Sequence, residues 1–280
     1  MRSDNLLSYP DWVRLSSLFG AFMTLSVLSA ELDDILQSRA ITTLFQPICT
    51  SDGQTIGYEA LSRGPQDSLL HTPDALFAAA RQYGRLLELD MLCRHQAIQR
   101  FTAHNLLGRL FLNASPESLL SPQHPHGRTL QMLGQVQLAP SRVVIELTEH
   151  SPINDFQLLR RALRYYRSMG FSIALDDLGA GYSGLRLWTE MMPEFIKVDR
   201  HFISNIHQDM LKQEFLNCML RMAKASRATL VAEGVEIKEE LQTLSQLGAP
   251  LVQGFLLGRP QSSWHHSIQG LQTVTHSCCG

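Results

Sequence analysis

The chain has 280 residues, of which 44% are hydrophobic and 18% charged, a length and balance that suit one large folded domain and exclude a disordered chain. Its 24 basic and 26 acidic side chains leave a net charge of −2, without the basic stripe of a general nucleic-acid binder. Five scattered cysteines (Cys49, Cys93, Cys218, Cys278 and Cys279) form no C-x-x-C pair, which argues against a disulfide framework or a zinc knuckle and fits a reducing cytoplasm.

Residues Leu15–Ala30 carry no charge, yet sixteen residues fall short of a membrane span. Asp4 and Asp11 spoil the positive start of a signal peptide. The segment reads as an apolar helix continuing through Gln37, packed on the domain or on a second subunit, or as the remnant of a linker. Residues 1–36 are therefore set apart from a domain over 37–268 and a tail over 269–280.

Leu44–Ile48 and Thr55–Leu61 read as strands joined by Ser51-Asp52-Gly53, a turn short enough to make the pair antiparallel. Helices follow over 74–83, opened by Thr72-Pro73, and over 86–102. A strand at 109–113 leads to a loop rich in proline and histidine at 121–127, where His124 and His126 read as surface residues. Strand 142–147, helix 154–168, strands 171–176 and 194–198, helix 207–226, strand 228–232, helix 237–247 and strand 250–253 come next. A last helix is expected over 264–272. Repeated strand-then-helix units predict a parallel sheet, and at this length a closed α/β barrel, modified by its antiparallel first strand pair.

Polar side chains recur where apolar runs end. Phe171–Leu175 stops at Asp176-Asp177 and a glycine turn; two adjacent buried acids call for a divalent cation, or serve as a helix N-cap with a solvated neighbour. Glu59, Asn113, Glu146, Lys197, Glu233 and Gln253 end other runs, and in a barrel those ends converge on one rim. His150, beside Glu146 and Glu149, reads as a loop histidine.

Tyr58-Glu59-Ala60-Leu61-Ser62-Arg63 resembles the signature of EAL domains, phosphodiesterases of cyclic di-GMP. The rest follows in family order: Gln46-Pro47, Asn113-Ala-Ser115, Glu146-Leu-Thr-Glu149, Asp176-Asp177, Lys197-Val-Asp199, Glu233-Gly-Val-Glu236 and Gln253-Gly254-Phe255. The resemblance implies a modified (β/α)8 TIM-like barrel that hydrolyses cyclic di-GMP to pGpG with two divalent metals, Mg2+ or Mn2+. It implies that Glu59, Asn113, Glu146 and Asp176 hold one metal and that Asp177 helps hold the second, Asp176 bridging. Lys197 would orient the water or offset developing charge, Glu233 would be the general base, Glu149 would brace the glycine loop, and Glu236 would support them from behind. Gln46, Arg63, Gln253 and Asp199 would contact the ligand. A homodimer, a cytoplasmic location and no membrane contact are expected.

The family's usual D-D-F-G-T-G-Y-S-S loop is altered here at Leu178, Ala180 and Gly184, which bears on rate and dimer coupling; His201 also departs from the common serine. A catalytically silent cyclic di-GMP receptor is the competing expectation, and retention of every acid argues against it.

Overall fold

The computed structural model describes residues 26–124, 127–148, 155–179 and 184–264. Eight strands close into a barrel in chain order: β1 (Thr42–Cys49), β2 (Thr55–Arg63), β3 (Arg109–Asn113), β4 (Val143–Thr148), β5 (Ser172–Leu178), β6 (Phe195–Val198), β7 (Thr229–Ala232) and β8 (Leu251–Gln253). β2 to β8 run parallel. β1 runs antiparallel to β8, pairing Ile48 with Gln253 and Cys49 with Val252. The reversal follows from the turn predicted at Ser51–Gly53: Thr50 and Gln54 exchange backbone and hydroxyl hydrogen bonds, and Gly53 supplies the left-handed φ of +90°.

Helices connect the strands: α1 (26–38), α2 (Pro73–Gln82), α3 (Leu86–Ala103), α4 (Pro116–Leu120), α5 (Arg128–Gln135), α6 (Phe156–Ser168), α7 (Gly184–Met191), α8 (Arg200–Ile203), α9 (Met210–Ser226) and α10 (Lys238–Leu247). Two compact units divide the chain, one of residues up to Thr42 with Arg63–Leu92, the other of Thr43–Ser62 with the remainder. In the first unit α1 buries Leu32, Ile35 and Leu36, spaced as one helical face, and Arg85 bonds both Asp33 and Glu88. Thr72 caps α2 by accepting from the Ala75 amide, with Pro73 at the first helical position, as the sequence predicts.

The second unit is built on one apolar layer inside the barrel: Ile48, Phe111, Val144, Ala174, Phe195, Val231 and Leu251, with Ile56 packed against it. The rings of Phe111 and Phe195 meet edge to face at 5.2 Å. Side chains two apart on a strand share a face. The next inward position on β3 to β8 is therefore fixed: Asn113 above Phe111, Glu146 above Val144, Asp176 above Ala174, Lys197 above Phe195, Glu233 above Val231, Gln253 above Leu251. On antiparallel β1 the same step runs backwards, from Ile48 to Gln46. An apolar floor thus carries a polar layer at the C-terminal rim.

Boundaries shift where capping decides them. Helix 207–226 starts at Met210, because the Asp209 carboxylate accepts from the amides of Leu211 and Lys212; 206–208 is a separate 3-10 turn. α4, α5, α7 and α8 are absent from the sequence expectation. His124 is buried rather than at the surface, its Nδ1 bonded to Ser118 O at 3.0 Å and its Nε2 to the Tyr166 hydroxyl at 3.1 Å. A proline-flanked histidine reads locally as solvated, and contacts with α4 and α6 give it partners. His126, His150, Glu149, Ala180, most of Leu15–Ala30 and nearly all of the expected 264–272 helix lie outside the described residues.

Candidate active site

Lys197 occupies the centre of the polar layer. Its Nζ lies 3.0 Å from Glu59, 3.1 Å from Glu146, 2.9 Å from Asp176 and 2.8 Å from Glu233. One ammonium against four carboxylates leaves a formal excess of three negative charges, and the lysine is only 1% exposed. Burial alone would lower the lysine's pKa, but Asp176, Glu146, Glu233 and Glu59 outweigh it and hold the ammonium well above its ordinary value. Burial raises the Glu146 carboxyl well above the usual range, Lys197 opposing and the other acids adding to it; burial does the same to Glu233. Glu59 goes the other way: burial is overcome by Lys197 and by hydrogen bonds from Gln253, Lys197 and Asn113.

Those donors hold Glu59 firmly. Asn113 Nδ2 donates to its Oε1 at 3.1 Å, and Gln253 Nε2 donates to its Oε2 at 2.7 Å. Gln253 also donates to Gln46 Oε1, and Gln46 donates in turn to Gly258 O.

Asp176 and Asp177 would point to opposite faces of a regular strand. β5 breaks that alternation: its register shifts between Leu175 and Leu178, and Asp177 takes a left-handed φ of +56°. Oxygens of Asp176, Asp177 and Glu233 consequently lie within 4.8 Å of one another, as do oxygens of Glu59, Glu146 and Asp176. The two groups share Asp176.

This cluster fits hard divalent cations. Glu146 Oε2 is buried with no hydrogen-bond partner, and Glu146 Oε1 and Asp176 Oδ1, also buried, have only the shared Lys197 ammonium, at 3.1 and 2.9 Å. Buried carboxylate oxygens that share one ammonium among four acids, in a layer with excess negative charge, are the ligands that Mg2+ or Mn2+ takes.

A cleft of about 140 Å³ opens beside the cluster, lined by Gln46, Glu59, Glu233, Glu236 and Gln253 and by four residues outside the sequence-derived site, Arg200, Gly234, Gly254 and Phe255. Gly254 admits no larger residue, since a Cβ there would lie 2.1 Å from Val235 O. Arg259 stacks its guanidinium 4.3 Å over the Phe255 ring. Their signals were present in sequence: Arg200 follows Lys-Val-Asp199, and Phe255 follows Gln-Gly254.

Of the expected site residues, Glu59, Asn113, Glu146, Asp176, Asp177, Lys197, Glu233, Gln46 and Gln253 are brought together. Glu236 stands at the cleft, its Oε2 3.0 Å from Arg200 Nη2. Asp199 caps α8, its Oδ1 accepting from the His201 amide at 2.8 Å. Arg63 ends β2 and belongs to the first compact unit. Among the described residues no helix is long and apolar enough to cross a membrane.

The EAL domain family model matches residues 29–260. Cyclic di-GMP phosphodiesterase PdeF of Escherichia coli K12 is 28% identical over 236 residues, 82% of this chain and 31% of PdeF. A standalone EAL protein from Vibrio cholerae O395, in its c-di-GMP-bound form, is 30% identical with a TM-score of 0.72, covering 80% of this chain and 93% of that one. BlrP1 of Klebsiella pneumoniae, in a manganese/cyclic di-GMP complex, is 33% identical with a TM-score of 0.73, covering 79% of this chain and 56% of that one. The chain spans between 29% and 33% of the length of the curated relatives it first matches. By its family match and its closed barrel, the chain belongs to the EAL domain family.

Proposed function

We propose that this chain hydrolyses cyclic di-GMP to linear pGpG with two divalent ions, Mg2+ or Mn2+. The observation that carries the reading is the pair of carboxylate groups sharing Asp176, set around buried Lys197. Glu59, Asn113, Glu146 and Asp176 would hold one ion; Asp176 and Asp177 the other, with Glu233 in reach of it. When bound, such ions supply a more acidic water and offset the charge gathering on a phosphodiester in in-line displacement.

The chain's own residues do the rest. Glu233 takes the proton of the attacking water, its carboxylate lying within 4.8 Å of those of Asp176 and Asp177. Lys197 orients the attacking water and faces developing negative charge, already locked by four acids. Asn113 and Gln253 keep Glu59 from rotating. Gln253 Oε1 is buried without a donor and lines the cleft wall, which suits it to accept from a base N–H of the ligand. Gln46, Asp199 and Glu236 complete the ligand and support contacts expected from the family motif. The buried cysteines Cys49 and Cys93 form no disulfide, which fits a reducing cytoplasm.

The test is incubation of purified protein with cyclic di-GMP and Mg2+ or Mn2+, chromatography of the nucleotide, and an EDTA control. Metal-dependent pGpG supports the reading. Intact nucleotide with measurable binding would replace it with the receptor role.

A further inference from the structure

Two loops of the rim converge on α8, the short helix that follows Asp199. On one side, Gly234 has a left-handed φ of +72°, and a Cβ there would lie 2.3 Å from Cγ and 2.5 Å from Cβ of Arg200. The arginine stem therefore lies directly on the glycine next to Glu233. Its Nη2 ends 3.0 Å from Glu236 Oε2. Arg200 thus spans the turn from its glycine to its last acid. The same turn is tied to the α8 connection a second time through Glu240, a buried residue of α10: its Oε1 accepts from the Asn205 amide at 2.8 Å and its Oε2 from the Glu236 amide at 2.9 Å. On the other side, Gly179 follows the Asp176-Asp177 bulge with φ +104°, and a Cβ there would lie 2.2 Å from Cε2 of Phe202. Phe202 is in turn stacked on Phe215 of α9 at 4.0 Å.

We infer that Arg200 is a positioning residue: it sets the place of Glu233 through Gly234 and Glu236, without acting on the ligand. The inference rests on the proposed hydrolysis. The Arg200–Glu236 pair is solvent-screened, its side chains 56% and 36% exposed, so it contributes little to folding. What its loss changes is the position of the base, and a displacement of about 1 Å costs on the order of 100-fold in rate.

The experiment compares steady-state cleavage of cyclic di-GMP with Mn2+ by the wild-type chain, Arg200→Ala, Arg200→Lys, Glu236→Ala and the double variant Arg200→Ala/Glu236→Ala, with thermal melts of each. Arg200→Ala is expected to lower kcat about 10- to 100-fold and to leave KM within about 2-fold. Glu236→Ala is expected to do the same, and the double variant to be no slower than the worse single one, because the two act through one turn. Arg200→Lys keeps the stem over Gly234 and restores most of the rate. A raised KM at unchanged kcat would make Arg200 a ligand contact and overturn the inference. So would losses that multiply in the double variant. If Arg200→Ala does not fold, Glu236→Ala with unchanged kcat overturns it alone. A wild-type chain without turnover overturns the proposed function and this inference with it, whereas wild-type turnover with indifferent variants overturns only the inference.

Discussion

Replacing Glu146 by glutamine separates charge from shape at the most buried acid of the rim. Glu146 is fully buried, and oxygens of Glu59 and Asp176 lie within 4.8 Å of its own. At that separation and an effective dielectric constant of about 20, each like-charge contact costs about 3.5 kcal/mol, roughly 7 for the two. Attraction to Lys197 Nζ at 3.1 Å returns about 5 kcal/mol on the same scale. The ionised carboxylate is therefore a net liability of about 2 kcal/mol before burial is counted. The sign agrees with the Glu146 carboxyl being pushed upward: a raised acid loses stability as pH climbs from its unfolded pKa toward its folded one, and the amide has no such loss. Glu146→Gln should stabilise the protein in EDTA, raising Tm by about 4 °C at roughly 2 °C per kcal/mol. It should also abolish the further rise in Tm that Mn2+ gives the wild type, because a carboxylate ligand is gone. Thermal melts in EDTA and in millimolar Mn2+ measure both. A variant less stable than wild type in EDTA, or one that keeps its response to Mn2+, would refute the reasoning.

Two further outcomes follow from the same geometry, and a third from the family resemblance. Glu233→Ala should lower turnover by about 100- to 10,000-fold while cyclic di-GMP still binds; calorimetric titration beside the cleavage assay checks this, and near-wild-type turnover would show that Glu233 is not the base. Gly254→Ala places a Cβ 2.1 Å from Val235 O and should cost about 1–3 kcal/mol, read as a fall in Tm; an unchanged melt would mean that the backbone yields freely there. A homodimer is expected in sedimentation at micromolar protein, and monomer alone, with and without ligand, would contradict it.

The barrel was legible because a strand buried on both faces reads as an apolar run, and a polar residue at its end has to face the rim. That logic reached Glu146, Lys197, Glu233 and Gln253. It could not reach the β5 bulge: Asp176-Asp177 looks the same in sequence whether the second acid turns inward or outward, and only the left-handed backbone at Asp177 places both with Glu233. Arg200 escaped because an exposed arginine after a strand reads as a solvated helix start, while its function lies in contact with a glycine 34 positions on. His124 was misplaced for the converse reason, since its partners Ser118 and Tyr166 come from α4 and α6. Short helices such as α4 and α7 carry too few turns for a clear period.

In the proposed hydrolysis one acidic rim holds two metals through a shared aspartate. Anomalous diffraction from crystals grown with Mn2+ tests it most directly. Two peaks about 3.5–4 Å apart are expected, one among Glu59, Glu146 and Asp176 and one among Asp176, Asp177 and Glu233. No peak in the rim, or a lone peak that Asp176 does not touch, would contradict it.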